Sequence, residues 1–141
     1  TFLNEMKQMY TMDIVQTKCK PTFQHEYALS RLVADGYHVA VASNSVRNSI
    51  DVMMEKANLA PYLSAVLSNE DVLEGKPHPE IYEKAMVALH VAPDECLIVE
   101  DNENGVRAAR SSGAHVLVVR DTKDVDYHSI RNRIEMIEAG D

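Results

Sequence analysis

The chain has 141 residues, 45% hydrophobic and 26% charged, a length and balance that suit one globular core and exclude intrinsic disorder. Fourteen Lys and Arg against 22 Asp and Glu leave a formal charge of −8, which works against a nonspecific grip on nucleic acid or on an anionic membrane surface. No apolar run approaches the roughly 18 residues of a membrane span, TFLNEMKQMY at the start lacks the regions of a leader, and Cys19 and Cys96 are too few for a disulfide framework, so a cytoplasmic protein is expected.

Phe2, Met6, Met9 and Tyr10 fall at helical spacing, which predicts a short amphipathic helix within residues 1–16. After Pro21, helical and strand patterns alternate. Phe23, Tyr27, Leu32 and Val33 mark a helix that Gly36 ends, and HVAVAS (His38 to Ser43) reads as a strand covered on both faces. Val46, Ile50, Met53 and Ala57 carry the next helix, and AVLS (Ala65 to Ser68) the next strand. Pro79 suits the start of a helix striped by Ile81, Ala85, Ala88 and Leu89. Cys96 to Val99 is a third strand, followed by a helix through Val106, Ala109 and Arg110 that stops at Gly113; His115 to Val119 is a fourth strand, and Ile130, Ile134 and Ile137 mark a last helix closed by Gly140. Such repetition predicts an α/β fold with a doubly wound parallel sheet, because parallel strands need crossover helices and these cover both faces. Chemistry in that architecture lies beyond the carboxyl ends of the strands.

The polar clusters fall at those ends. Glu100 and Asp101 follow the third strand and offer the hard oxygen donors that suit Mg²⁺, although an acidic pair there could equally serve the positive end of the next helix. Ser43 follows the first strand, where its hydroxyl and the backbone N–H groups beyond it suit a phosphate; taken singly, Ser43 or Ser45 could instead cap the helix that begins near Val46. Lys76, between Gly75 and Pro77, places an ammonium on a constrained loop, as a phosphoryl group in transfer requires; taken singly, it could instead be a solvated lysine. His78 reads as a helix-start residue, and Asp124-Val125-Asp126 as a surface loop. The six histidines have no zinc-site spacing, and the sequence has no Gly-rich phosphate loop and no GxSxG elbow.

Taken in order, the strand ending in Ser43-Asn44-Ser45, then Gly75-Lys76-Pro77-His78-Pro79, then Val99-Glu100-Asp101-Asn102 with the helix through Ala109 resemble the haloacid dehalogenase (HAD) superfamily, in its phosphatase and β-phosphoglucomutase-like branch. The resemblance runs from Lys20 to Val119. It implies a Rossmann-like core and an Mg²⁺-dependent phosphohydrolase acting on a small phosphorylated metabolite through an aspartyl-phosphate, with a phosphomutase as the alternative. It further implies catalytic roles for Ser43 and Lys76, phosphate binding by Ser43, Asn44 and Lys76, and metal binding by Glu100 and Asp101. Asn102 stands where relatives often have Ser.

The family's opening strand, ending in DxDGT or DxDGV and carrying the nucleophile, is absent from the sequence. The reading is therefore of the carboxyl-terminal part of a longer enzyme, inactive alone, with residues 1–17 as a remnant of the helical cap and 18–141 as the core. The empty central slot of the sheet is expected to be closed by its two neighbours or filled by another segment or chain, since unpaired inner edges are costly. A receiver-like phospho-acceptor domain is a competing reading, but it would place its acidic pair after the first strand and its lysine after the last. A non-catalytic phosphate-binding remnant is the third.

Overall fold

A computed structural model of the chain describes residues 9–12 and 23–140. Five parallel strands form one sheet: β1 (Met9–Met12), β2 (His38–Ala42), β3 (Leu63–Leu67), β4 (Cys96–Glu100) and β5 (His115–Val118), in the spatial order β3-β2-β1-β4-β5. Among the described residues five α-helices accompany them: α1 (Phe23–Ala34), α2 (Arg47–Lys56), α3 (Glu80–Leu89), α4 (Glu103–Ser111) and α5 (Tyr127–Glu138).

Alternation along the strands explains the layering. Val39 and Val41 of β2, with Leu97 and Val99 of β4, face α1, α2 and α5 in one buried cluster; Ala40 and Ala42, with Cys96 and Ile98, face α3 and α4 in the other. Both β2 and β4 are therefore apolar at consecutive positions, as strands covered on two faces must be. Burial pushes the Cys96 thiol far above its usual pKa, which makes it an inert core residue.

The expected central gap is filled from within the chain. Met9–Met12 pairs in register with His38–Val41 on one side and with Cys96–Val99 on the other. The helix expected across Met9 and Tyr10 is thus corrected to a strand, and these four residues belong to the core sheet. Helical spacing of a few apolar side chains is a weak preference beside two rows of inner-edge N–H and C=O groups, each costing roughly 1–3 kcal/mol if left buried and unpaired. The rest of residues 1–22 lies outside the described residues.

Several boundaries differ from those read from the pattern. β3 begins two residues before Ala65, and Ser68 leaves it to cap the 3₁₀ turn Asn69–Asp71. On α3 the buried stripe is Ile81, Tyr82, Ala85 and Met86, while Ala88 is exposed, so the helix is rotated toward Tyr82 relative to the expected face. On α4 the residues against the sheet are Gly105, Ala108 and Ala109, small side chains that allow close approach; Arg110 is exposed. Gly36 ends the α1 region with φ of 99°, a left-handed conformation that only glycine adopts freely.

Candidate active site

Three loops converge beyond the carboxyl ends of β2 and β4, on either side of β1. The order of strands reverses at β1 and β4, which is where a doubly wound sheet opens a crevice.

Ser43 continues β2 by one ladder bond, donating its N–H to Leu67 O at 3.0 Å, and its buried hydroxyl accepts the Ser45 N–H at 3.1 Å. Neither serine caps α2. Val46 occupies the N-cap position without a side-chain bond, and the carboxylate of Glu70 accepts the Arg47 N–H at 3.1 Å instead. Asn44 is exposed, and its Oδ1 accepts the Lys76 N–H at 3.2 Å, so the loop after β2 holds the loop that carries the lysine.

Lys76 is turned inward. Its Nζ donates to Ala42 O at 3.1 Å and to Glu100 Oε2 at 2.7 Å, and it stands 4.8 Å from the centre of the Tyr82 ring. The two charged side chains are 1% and 0% exposed. The Tyr82 hydroxyl donates to the same Oε2, while Oε1 accepts the Asp101 N–H at 3.3 Å. Gly105 closes the remaining side: a methyl group there would overlap the Glu100 carboxylate. The ammonium is thereby tied to the end of β2 and the end of β4 at once.

The acidic pair divides its work. Glu100 is enclosed by Lys76, Tyr82 and Gly105, whereas Asp101, one residue on, is half-buried. Neither caps the following helix; Asn102 does, accepting the Gly105 N–H at 2.8 Å. Asn102 thereby has a structural role of its own. As a metal centre the arrangement fits in part only: among the described residues no group of three or more His, Cys, Asp or Glu side chains could hold an ion, and the Glu100 carboxylate is committed to a lysine and a tyrosine. Asp101, half-buried beside it, is the other carboxylate at this strand end.

The other expected residues lie away from the chemistry. His78, exposed and two residues before α3, accepts the Glu80 N–H at 3.1 Å through Nδ1, as a helix-start residue. Asp124 to Asp126 forms the loop before α5, with Asp126 capping that helix by accepting the Ser129 N–H. Tyr82 is the site residue that the pattern did not single out. Only the rotation of α3 puts it there: the expected stripe ran through Ile81, Ala85, Ala88 and Leu89, and the tyrosine that the rotation buries needs a partner for its hydroxyl inside the core.

Comparison with known proteins identifies the family. An uncharacterized protein of Haemophilus influenzae is 35% identical over 115 residues, which span 79% of this chain and 54% of that protein. The pyrophosphatase PpaX of Anoxybacillus flavithermus is 30% identical over 78 residues, 55% of this chain and 36% of the enzyme. Among solved structures, a putative β-phosphoglucomutase from Thermotoga maritima superposes with a TM-score of 0.65 at 26% identity, over 67% of this chain and 44% of that one. The chain thus spans about half the length, or less, of the relatives it matches. No helix among the described residues is long and apolar enough to cross a membrane. With residues 1–119 matching the family, and its three motifs brought to one end of the sheet, the chain belongs to the haloacid dehalogenase-like hydrolases.

Proposed function

We propose that the protein to which this chain belongs is a phosphohydrolase of small phosphorylated metabolites. The observation that carries the reading is the Lys76 ammonium, held between Ala42 O and the Glu100 carboxylate beside Ser43. A fixed positive charge at strand ends stabilises the charge that develops on a phosphoryl group in transfer without reorganising during the reaction.

In this reading Ser43 and Asn44 bind phosphate oxygens, Lys76 neutralises them, and Glu100 fixes Lys76. Asp101 is the carboxylate for Mg²⁺, which when bound would polarise a phosphoryl oxygen and offset its charge. The family's aspartyl-phosphate route draws its nucleophile from the DxDGT strand, which this sequence lacks, so the chain's own contribution is phosphate and cation binding.

The test is binding of inorganic phosphate to the chain, measured by calorimetry with and without Mg²⁺. Phosphate should bind, Mg²⁺ should strengthen it, and Asp101→Asn should remove that enhancement. No phosphate binding under either condition would overturn the reading. The chain by itself should turn over no generic phosphate ester, and a separately made segment bearing the nucleophile strand should bring turnover only by displacing Met9–Met12 from the slot between β2 and β4; turnover by the chain alone would place the nucleophile elsewhere.

A further inference from the structure

We propose that Tyr82 is a positioning residue of this site, setting the direction of the Lys76 ammonium through the Glu100 carboxylate. The inference rests on the reading of Lys76 as the phosphate-binding cation and adds the residue that aims it.

Tyr82 meets the pair in two separate ways. Its hydroxyl donates to Glu100 Oε2, the same oxygen that accepts from Lys76, and the face of its ring lies 4.8 Å from Lys76 Nζ. The side chain is wholly buried in the first turn of α3, with Ala40, Ala42 and Ile98 in the same cluster. A carboxylate has two oxygens and two preferred directions at each. In a dry setting the group that occupies one of those directions decides where the next donor can stand. Without the hydroxyl, Oε2 would have an acceptor direction to fill, and the most mobile donor within reach is the lysine, whose four-carbon stem lets its ammonium swing. The ring contributes attraction without direction; the hydroxyl contributes direction.

Packing alone does not account for the pattern. Phenylalanine would fill the same volume beside Ile81, Ala85 and Met86, and a core position facing apolar strands has no use for a hydroxyl unless it serves a polar partner. The partner here is the carboxylate that holds the lysine.

The experiment compares the full chain with Tyr82→Phe, which keeps the ring and removes only the hydroxyl. The Lys76 side-chain ammonium is followed by ¹⁵N-edited NMR, where a buried, paired ammonium exchanges slowly enough to be seen, and inorganic phosphate affinity is measured in parallel. In Tyr82→Phe the Lys76 signal should shift or broaden through faster exchange, and phosphate should bind roughly fivefold more weakly, the scale of one lost hydrogen bond. An unchanged Lys76 signal, or an unchanged phosphate affinity, would overturn the proposal, because a purely structural tyrosine alters thermal stability and neither of these. Should the substituted chain fail to fold, the unsubstituted one still decides: a downfield Tyr82 hydroxyl proton must be present and must be lost in Glu100→Gln, and its absence from the unsubstituted chain sinks the assignment. If the Lys76 signal responds as expected but the unsubstituted chain binds no phosphate, the phosphohydrolase reading fails while the Tyr82–Glu100–Lys76 linkage stands.

Discussion

Two cation–carboxylate pairs tie the segment between β3 and α3 to the rest of the molecule, and they differ in how much water they see. Lys76–Glu100 joins the loop before α3 to the end of β4 with side chains that are 1% and 0% exposed. Arg47–Asp71 joins the start of α2 to the 3₁₀ turn after β3, with side chains 40% and 29% exposed. Each carboxylate also accepts from a second partner: Tyr82 for Glu100, and Ser68 for Asp71, through both its N–H and its hydroxyl. The buried pair has exchanged all of its hydration for a few fixed partners, so removal of one partner strands a charge; around the exposed pair, solvent takes over whatever is removed. Nearness to the proposed chemistry follows the same division, since a charge that must stay directed needs the dry setting and a charge that only closes a loop does not.

The largest break in this comparison is Glu100→Ala. It leaves the Lys76 ammonium buried without its carboxylate and should lower unfolding free energy by about 3–5 kcal/mol in urea titration. The double substitution Lys76→Met with Glu100→Leu should recover most of that loss, since an apolar pair of similar volume leaves nothing stranded. A double variant no more stable than Glu100→Ala would show that the pair holds the fold through shape rather than charge.

Next in size is Gly105→Ala. Alanine favours a helix over glycine by about 1 kcal/mol, but its methyl group at 105 meets the Glu100 carboxylate, which two donors hold in place. A net loss of roughly 1–3 kcal/mol is expected, as for other overpacked cores. In the Glu100→Ala background the obstruction is gone, and the same substitution should become neutral or stabilising. Equal losses in both backgrounds would place the conflict somewhere other than the carboxylate.

Asp71 is a smaller effect with a pH signature. The Ser68 N–H, and after it the Ser68 hydroxyl and the Arg47 guanidinium, hold its carboxyl below the ordinary range, against partial desolvation that pushes it up. A carboxyl depressed in the folded state stabilises above its unfolded pKa, and that contribution is lost as pH falls through the folded value. Asp71→Asn should therefore cost up to about 1 kcal/mol near pH 7, a cap's worth in a partly solvated setting. Thermal melts of the two proteins should converge below about pH 3, under the ordinary carboxylate range; a gap that is constant across that range would contradict the linkage.

The smallest effect is expected from Arg47→Ala, whose guanidinium also donates to Val66 O at 3.2 Å. A loss under about 1 kcal/mol is expected, shrinking further in 1 M salt, where exposed charges are screened within a few ångströms. A salt-independent loss would assign the stabilisation to the Val66 contact.

The residue pattern by itself determined the parallel α/β class, the extent of β2, β4 and β5 to within a residue, the placing of Ser43, Glu100 and Asp101 at strand ends, and that of Lys76 in the loop after β3. These are local properties: covered strands are continuously apolar, helices repeat near every third or fourth residue, and a polar cluster that interrupts an apolar run marks where a strand leaves the core. Tertiary structure alone decided the rest. Met9–Met12 is a strand because an inner slot of the sheet needs its backbone groups, a demand made by residues far away in sequence. Glu100 and Asp101, adjacent in the chain and chemically alike, part company because successive strand-end residues face different neighbours: Glu100 is enclosed by Lys76, Tyr82 and Gly105, and Asp101 is half-buried. Tyr82 joins the site for the same reason: α3 is rotated by how its side chains pack on β2 and β3, and that rotation depends on the shape of the sheet beneath it, which no window along α3 contains.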